Sequence, residues 1–327
     1  MKKILLSQNI HEDAVKYLKD RGFKLIIAPS PEDEVVRQYI SNADAIIVRT
    51  ATKLSRETIF AAGNLKVIAR TGAGVDNVDI EAASEKQIPV CNTPEANIES
   101  VAEHALAFIL SLSKHLFLMD VSVRKNDFAV RNKYLPVDLE EKTLGLLGFG
   151  KIGRKVAEKC SNCFGMRIIY YDPYLSNDIV TGFKCGRVND IDTVFSQSDF
   201  ISLHMPYTKE NHHIIGRELF AKMKPGAFII NTSRGGIIDE NALADALSNG
   251  VICGAALDVF EDEPPKEDSP LLALDNIILS PHSAALTKES SKRMAMHAAE
   301  GVVDVLEGRA PKWVFNRDMT TKDKKSI

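Results

Sequence analysis

Thr143-Leu-Gly-Leu-Leu-Gly148-Phe-Gly150-Lys151-Ile152-Gly153 is the stretch on which the fold turns. An apolar strand runs into G-x-G-x-x-G, and helix formers (Arg154-Lys-Val-Ala-Glu) follow at once. A glycine triplet alone says little, but between a strand and a helix it reads as a dinucleotide-binding turn. Gly148 permits the tight turn, Gly150 lets backbone approach a pyrophosphate, and Gly153 lets helix and strand pack closely. The helix start, at Lys151 and Ile152, offers unpaired N–H groups and a positive dipole end to phosphate. The next apolar run, Met166-Arg-Ile-Ile-Tyr-Tyr-Asp172, ends in an acid nineteen positions after Gly153. A carboxylate there accepts hydrogen bonds from ribose hydroxyls and repels a 2′-phosphate, so NAD is expected rather than NADP. The competing reading, a glycine turn capping an unrelated helix, leaves that acid unexplained. Tyr170 and Tyr171 beside it read as packing residues.

Outward from this unit, short apolar runs keep alternating with segments of helical period, the pattern of an α/β chain with parallel sheets. Downstream, strands are expected at Arg167–Tyr171, Phe200–Leu203, 227–231, 255–259 and 277–280. Upstream they are expected at Lys3–Leu6, Lys24–Ile27, Ala45–Val48 and 66–69, with helices over 11–20 and 31–41. This first series carries no complete dinucleotide fingerprint and reads as a flavodoxin-like or Rossmann-like unit. Between the two series a long helix is expected over 100–118, with Ser100 and Glu103 at capping-box spacing. Its apolar composition predicts burial, between domains or against another subunit, and hence a homodimer. His104 and His115 on it read as packed or partly exposed histidines. A final helix is expected over 290–306, followed from Asp318 by a polar, lysine-rich tail that reads as frayed.

Composition narrows the class. With 45% hydrophobic and 26% charged residues, the 327-residue chain has ordinary globular make-up and room for two domains. A net charge of −3 without a basic block gives no reason to expect nucleic acid or an anionic membrane as partner. MKKILLSQNI is too short an apolar run for a secretory core, and cytoplasm is the expected compartment. The five cysteines, an odd number scattered widely, do not make a disulfide framework. Cys160 and Cys163 form a C-x-x-C, but nothing nearby completes a metal set, so packing is expected and no metal.

Three segments after the glycine turn read as strand ends carrying ionisable residues: Ile230-Asn-Thr232-Ser233-Arg234-Gly-Gly, Leu257-Asp258-Val-Phe-Glu-Asp-Glu263-Pro-Pro, and Leu279-Ser-Pro281-His282. Ligands in such folds sit beyond the carboxyl ends of the strands, so these residues are expected to converge. Hydride transfer needs a cation for a substrate carboxylate, a proton donor for the carbonyl oxygen, and a group that tunes that donor. Arginine, histidine and glutamate supply these functions. Singly, each has a plain alternative: Arg234 holding a turn, Glu263 a solvated acid, His282 a satisfied loop histidine.

Together with Val48-Arg-Thr-Ala-Thr-Lys53, Ala69-Arg-Thr-Gly-Ala-Gly-Val-Asp-Asn-Val-Asp79, Asn92-Thr-Pro94 and His204-Met-Pro206, these motifs resemble the D-2-hydroxyacid dehydrogenase family from about Ala45 to Leu306. The resemblance implies that Arg234 orients substrate, His282 is the general acid/base, and Glu263 is its partner. It places Asp172, His204, Pro206, Thr232, Ser233, Arg234, Asp258 and His282 around the cofactor. It also implies that an NAD-binding domain over 99–286 is inserted into a substrate domain built from 1–98 and 287–316, with 317–327 a flexible tail.

Within the family, the likeness is strongest to members that oxidise D-3-phosphoglycerate to 3-phosphohydroxypyruvate, the entry to serine synthesis. Arg49 and Arg70 follow two expected strands and would offset a phosphate's extra charge. Thr52 would add a hydroxyl, the backbone around Gly72, Ala73 and Gly74 would meet the carboxylate, and Arg131 would reach over from a second subunit. Two departures set this chain apart, the first bearing on specificity and the second on regulation alone. Ser283-Ala-Ala follows His282 where phosphoglycerate enzymes usually have two glycines, and the C-terminal regulatory domain many of them carry is not expected. A less specific 2-ketoacid reductase (glyoxylate, hydroxypyruvate or D-lactate type) and an NAD(H)-sensing binding protein akin to corepressors on this fold are the alternatives.

Overall fold

The computed structural model describes residues 1–175 and 181–317. The chain forms two compact units, one from Met1–Asn97 together with the segment from Ala285 onward, the other from Ile98–Ala284. The tail expected from Asp318 lies outside the described residues.

The first unit alternates β1 (Lys3–Leu6), α1 (Glu12–Asp20), β2 (Lys24–Ile27), α2 (Asp33–Ile40), β3 (Ala45–Val48), α3 (Arg56–Ala61), β4 (Val67–Arg70), α4 (Ile80–Glu85) and β5 (Val90–Cys91). Its strands are all parallel, in the order β2-β1-β3-β4-β5. That is the flavodoxin-like order, whose strand sequence reverses between β1 and β3. A late helix of this unit (Lys288–Leu306, α12 in chain order) packs Ala295, Ala298, Ala299, Val302 and Val303 against β1, β3 and β4.

The second unit opens with α5 (Ile98–Ser113), α6 (Leu116–Arg124) and α7 (Val130–Lys133). There follow β6 (Thr143–Leu147), α8 (Lys151–Phe164), β7 (Arg167–Tyr171), β8 (Cys185–Arg187), α9 (Ile191–Gln197), β9 (Phe200–Leu203), α10 (Arg217–Phe220), β10 (Phe228–Asn231), α11 (Glu240–Ser248), β11 (Gly254–Leu257) and β12 (Ile277–Leu279). Seven parallel strands run β12-β11-β10-β9-β6-β7-β8. This is the Rossmann order extended by one strand, with its reversal between β6 and β9. β6, β9, β10 and β11 are buried along their whole length, as a parallel sheet covered on both faces requires.

One expected element is corrected. The helix over 100–118 is two helices, α5 and α6, bent by 57° at a break where His115 takes a left-handed φ of 49°. The break has a partner: the Val137 amide donates to the Ser113 carbonyl, and Lys114 Nζ donates to the Val137 carbonyl, so a later segment caps the end of α5. Ser100 lies inside α5 rather than at its cap. The buried face of α5, with Ala102, Ala105, Phe108, Ile109 and Leu112, packs in the core around β6 and α8. No single helix is long and apolar enough to cross a membrane among the described residues.

Candidate active site

All three ionisable strand ends fall at the carboxyl edge of the seven-stranded sheet. β6 delivers the glycine turn, β9 delivers His204, β10 Thr232–Arg234, β11 Asp258, and β12 Pro281 and His282.

The glycine turn is built by close approach. Gly148 has a φ of 89°, and a Cβ there would lie 2.7 Å from the His204 carbonyl carbon. A Cβ on Gly153 would lie 2.4 Å from the Gly148 oxygen, so α8 rests directly on the turn. Asp172, ending β7, accepts the Phe149 amide at 2.8 Å through Oδ2 and the Tyr174 amide at 3.0 Å through Oδ1. Phe149 stacks on Tyr170 at 3.8 Å, which gives Tyr170 the packing role expected of it. His204 Nε2 and the Ser202 hydroxyl lie 2.9 Å apart, and burial pushes the imidazole pKa down to about 3, so it is neutral near pH 7. Pro206 is exposed, and its carbonyl accepts Asn211 Nδ2.

A dinucleotide fits this edge on two observations. A Cβ on Gly150 would meet nothing within 4 Å, so the space before the α8 N-terminus at Lys151 and Ile152 is open. Thr232 Oγ1, beyond β10, is buried without a hydrogen-bond partner among the described residues. Ser233, by contrast, is engaged, its amide and hydroxyl both donating to Asn231 Oδ1.

His282 and Glu263 meet. Nδ1 lies 2.7 Å from Glu263 Oε2, and Glu263 Oε1 accepts the Phe260 amide at 3.2 Å. Burial acts to raise the Glu263 pKa, but the hydrogen bond and charge of His282, the Phe260 amide and the Arg234 charge outweigh it and hold the carboxyl below its usual range. Arg234 Nη1 donates to the Ser233 carbonyl at 2.7 Å. The glycine after it is obligatory: a Cβ on Gly235 would stand 1.9 Å from the Phe260 carbonyl carbon. That crossing presses the Arg234 turn onto the loop that carries Glu263. A pocket of about 410 Å³ opens beside the pair, lined by Phe260, Glu263, Leu272, Leu279, Pro281 and His282.

The sequence missed what holds His282. Its φ of 49° is left-handed, uncommon for a residue with a Cβ. Asp258 fixes it: the Asp258 carbonyl accepts the His282 amide at 2.7 Å, and its carboxylate accepts the amides of Ser283 and Ala284 at 2.8 Å each. Ser280 Oγ, 2.5 Å from Asp258 Oδ1, is also 3.0 Å from His104 Nε2 on α5. His104 thus belongs to the support of the histidine loop, which no spacing in the sequence indicated. Asp258, placed around the cofactor by resemblance, has this loop as its direct partner.

The substrate candidates of the first unit divide. Arg49, beyond β3 at the reversal point, is part-exposed and donates to the Asn9 carbonyl at 3.0 Å. It lines a pocket of about 270 Å³ with Asn9, His11, Thr50, Thr71 and Leu286. Arg70 is buried, donating to the Thr71 carbonyl at 2.9 Å and to the Thr50 hydroxyl at 3.0 Å, and lies against Gly72. The Ala73 carbonyl accepts Asn92 Nδ2, and Gly74 is half-buried in the same loop. Thr52 is corrected as a substrate contact: it has no exposed surface, and its hydroxyl donates to Ser7 Oγ at 2.8 Å inside the core. Arg131 is exposed on α7. Cys160 is buried, with its thiol pushed up to about 12 by burial, which fits packing.

Residues 106–284 match the family model described as D-isomer specific 2-hydroxyacid dehydrogenase, NAD binding domain. The chain is 42% identical over 99% of its length to a D-3-phosphoglycerate dehydrogenase of Methanocaldococcus jannaschii, covering 61% of that relative. It is 40% identical to a hydroxypyruvate reductase of Thermotoga maritima, over 92% of this chain and 97% of that one. The crystal structure of a D-lactate dehydrogenase from Aquifex aeolicus, complexed with NAD and lactic acid, superposes with a TM-score of 0.85 at 33% identity, over 94% of this chain and 96% of that one. The chain spans about three fifths of the phosphoglycerate dehydrogenases it matches.

Proposed function

The chain belongs to the D-isomer specific 2-hydroxyacid dehydrogenase family, and on that premise we propose that it is an NAD-dependent dehydrogenase interconverting D-3-phosphoglycerate and 3-phosphohydroxypyruvate. The observation that carries the reading is the His282–Glu263 pair at 2.7 Å, on the sheet edge that also presents Arg234 and the glycine turn.

When bound, NAD would supply the hydride acceptor for the carbon bearing the hydroxyl. Gly148–Gly153, Asp172, His204, Pro206, Thr232 and Ser233 are the residues assigned to hold it, with Asp172 selecting against a 2′-phosphate. Arg234 binds the substrate carboxylate through its planar fork and turns the reacting carbon toward the cofactor. His282 takes the hydroxyl proton at Nε2 as the alcohol is oxidised and returns it in the reverse direction. Glu263 at Nδ1 fixes the tautomer, keeps Nε2 free as the base, and stabilises the imidazolium once the proton has arrived. Asp258, Ser280 and His104 hold the loop so that the imidazole meets the substrate in one orientation.

For the phosphate we assign Arg49, with Arg70 shaping the loop 70–74 whose backbone faces the carboxylate. Three of the relatives matched, from two archaea and a cyanobacterium, are named D-3-phosphoglycerate dehydrogenase. A second reading has its own support. The hydroxypyruvate reductase relative is matched over 97% of its length, and Ser283-Ala-Ala follows His282 here. A substrate panel with NADH separates the two. A kcat/KM for 3-phosphohydroxypyruvate at least ~10-fold above hydroxypyruvate, falling selectively in Arg49→Ala, supports the first; parity between the substrates supports the reductase.

The free thiols of all five cysteines fit a reducing cytoplasm. A homodimer is supported by apolar side chains on and after α6, where Phe117 is 60% and Leu135 is 73% exposed.

A further inference from the structure

Among the described residues, the fold gathers one group of metal-ligating side chains that the chemistry above does not use. The ligand atoms of His212, His213 and Glu261 all lie within 4.8 Å of one another. In the sequence, 48 positions separate His213 from Glu261, which is why no spacing motif announced the set. The sequence reading expected no metal.

The cluster is assembled rather than incidental to one loop. His213 Nε2 stands 2.9 Å from Glu261 Oε1, and the two imidazoles stack at 3.8 Å with 25° between their planes. Each donor is braced from behind. His213 adopts a positive φ of 53°, and its amide donates to the Gly236 carbonyl at 2.9 Å. The Glu261 amide donates to a Glu240 carboxylate oxygen at 2.7 Å at the start of α11. The His212 ring meets Tyr207 edge-on at 6.0 Å. His212 and Glu261 are exposed and His213 half-buried, so an ion reaches the donors from solvent without opening the core.

Charge points the same way. Glu240 and Glu261 stand together, while the neighbouring Asp262 is already matched by Lys266 at 3.0 Å. Two imidazole nitrogens and one carboxylate oxygen are the donor set of a borderline divalent ion, with water as fourth ligand. Mg²⁺ and Ca²⁺ prefer oxygen ligands throughout. We infer that His212, His213 and Glu261 form a binding site for one zinc-class divalent ion per chain. Coordination by both imidazoles requires the exposed His212 ring to turn out of its stack on His213, so that the two in-plane lone pairs converge on the ion. Bound there, it clips the 212–213 loop to the segment in which Glu261 adjoins Phe260, the residue whose amide holds Glu263.

The test is a titration of the intact chain with Zn²⁺ against a chromophoric chelator, in a Cys163→Ser background that removes the exposed thiol. One saturable equivalent per chain is expected, without competition from Mg²⁺. His213→Asn, which tolerates the left-handed backbone, and Glu261→Gln should each weaken binding by at least ~10-fold. Zinc should also raise the Tm of the parent chain and leave both variants unshifted. Failure to find one saturable equivalent overturns the assignment. So does zinc that binds both variants as tightly as the parent, or that still shifts their Tm.

Discussion

Asp258 Oδ1 sits 2.5 Å from the Ser280 hydroxyl, inside a cluster where the same carboxylate receives the Ser283 and Ala284 amides and is 1% exposed. A buried carboxylate with three donors anchors the chain immediately on both sides of His282. Asp258→Asn replaces one accepting oxygen by a donor facing donors, and a hydrogen bond to a buried charge is worth about 1.5–3 kcal/mol. The variant should melt several degrees lower and turn over ~10–100-fold more slowly. His104→Ala, which removes the other partner of Ser280, should cost about tenfold in turnover with little change in NADH affinity. Unaltered turnover in both variants would remove these residues from the support of His282.

Asp172 offers a cofactor test. Its Oδ2 accepts the Phe149 amide at 2.8 Å, and in the proposed cofactor site its charge selects against a 2′-phosphate. Asp172→Ser should lower the NAD-over-NADP ratio of kcat/KM by at least ~10-fold, since it removes the repulsion of a 2′-phosphate. An unchanged ratio would mean that another group reads the ribose.

The His204 imidazole gives a pH signature in stability. Burial lowers its pKa from 6.5 to about 3 in the folded chain. Between those values the unfolded chain binds the extra proton. Its contribution is therefore complete above pH 6.5 and is lost as the pH falls toward 3, at up to roughly 1.4 kcal/mol per pH unit. Denaturant titrations from pH 7 to pH 4.5 should show a shallower decline for His204→Gln than for the parent. Parallel declines would contradict the neutral state of this half-buried imidazole.

The apolar surface of α6 carries the prediction for assembly. Sedimentation at micromolar concentration should give a dimer, and Phe117→Asp should shift it toward monomer with an unchanged fold by circular dichroism. A parent chain that sediments as a monomer would refute the subunit contact.

Much of the architecture was legible because a parallel sheet buried on both faces writes itself as continuous apolar runs. The boundaries of β6, β7 and β9 coincide with those runs. β5 has two residues and β8 reads Cys-Gly-Arg at the sheet edge, so neither carries an apolar signal long enough to register. The break between α5 and α6 escaped because its cause is tertiary, the capture of the Ser113 carbonyl by Val137. In the site, Arg234, Glu263 and His282 stood out as ionisable residues at expected strand ends, and their roles came from the family resemblance of the set, since each alone had a plain alternative. Thr52 was misread because its neighbours in sequence face outward while its own hydroxyl turns inward to Ser7. His104 and the His212–His213–Glu261 group gave no signal, since their partners lie on distant segments that only the fold brings near.

The most direct test of the account is single-turnover NADH oxidation by the parent chain and His282→Ala, with NADH affinity measured in parallel by fluorescence. Loss of the proton carrier should slow the chemical step by ~10²–10⁴-fold and leave the NADH dissociation constant within a few-fold of the parent. A His282→Ala chain that reduces 3-phosphohydroxypyruvate and hydroxypyruvate at the parental rate would contradict the mechanism.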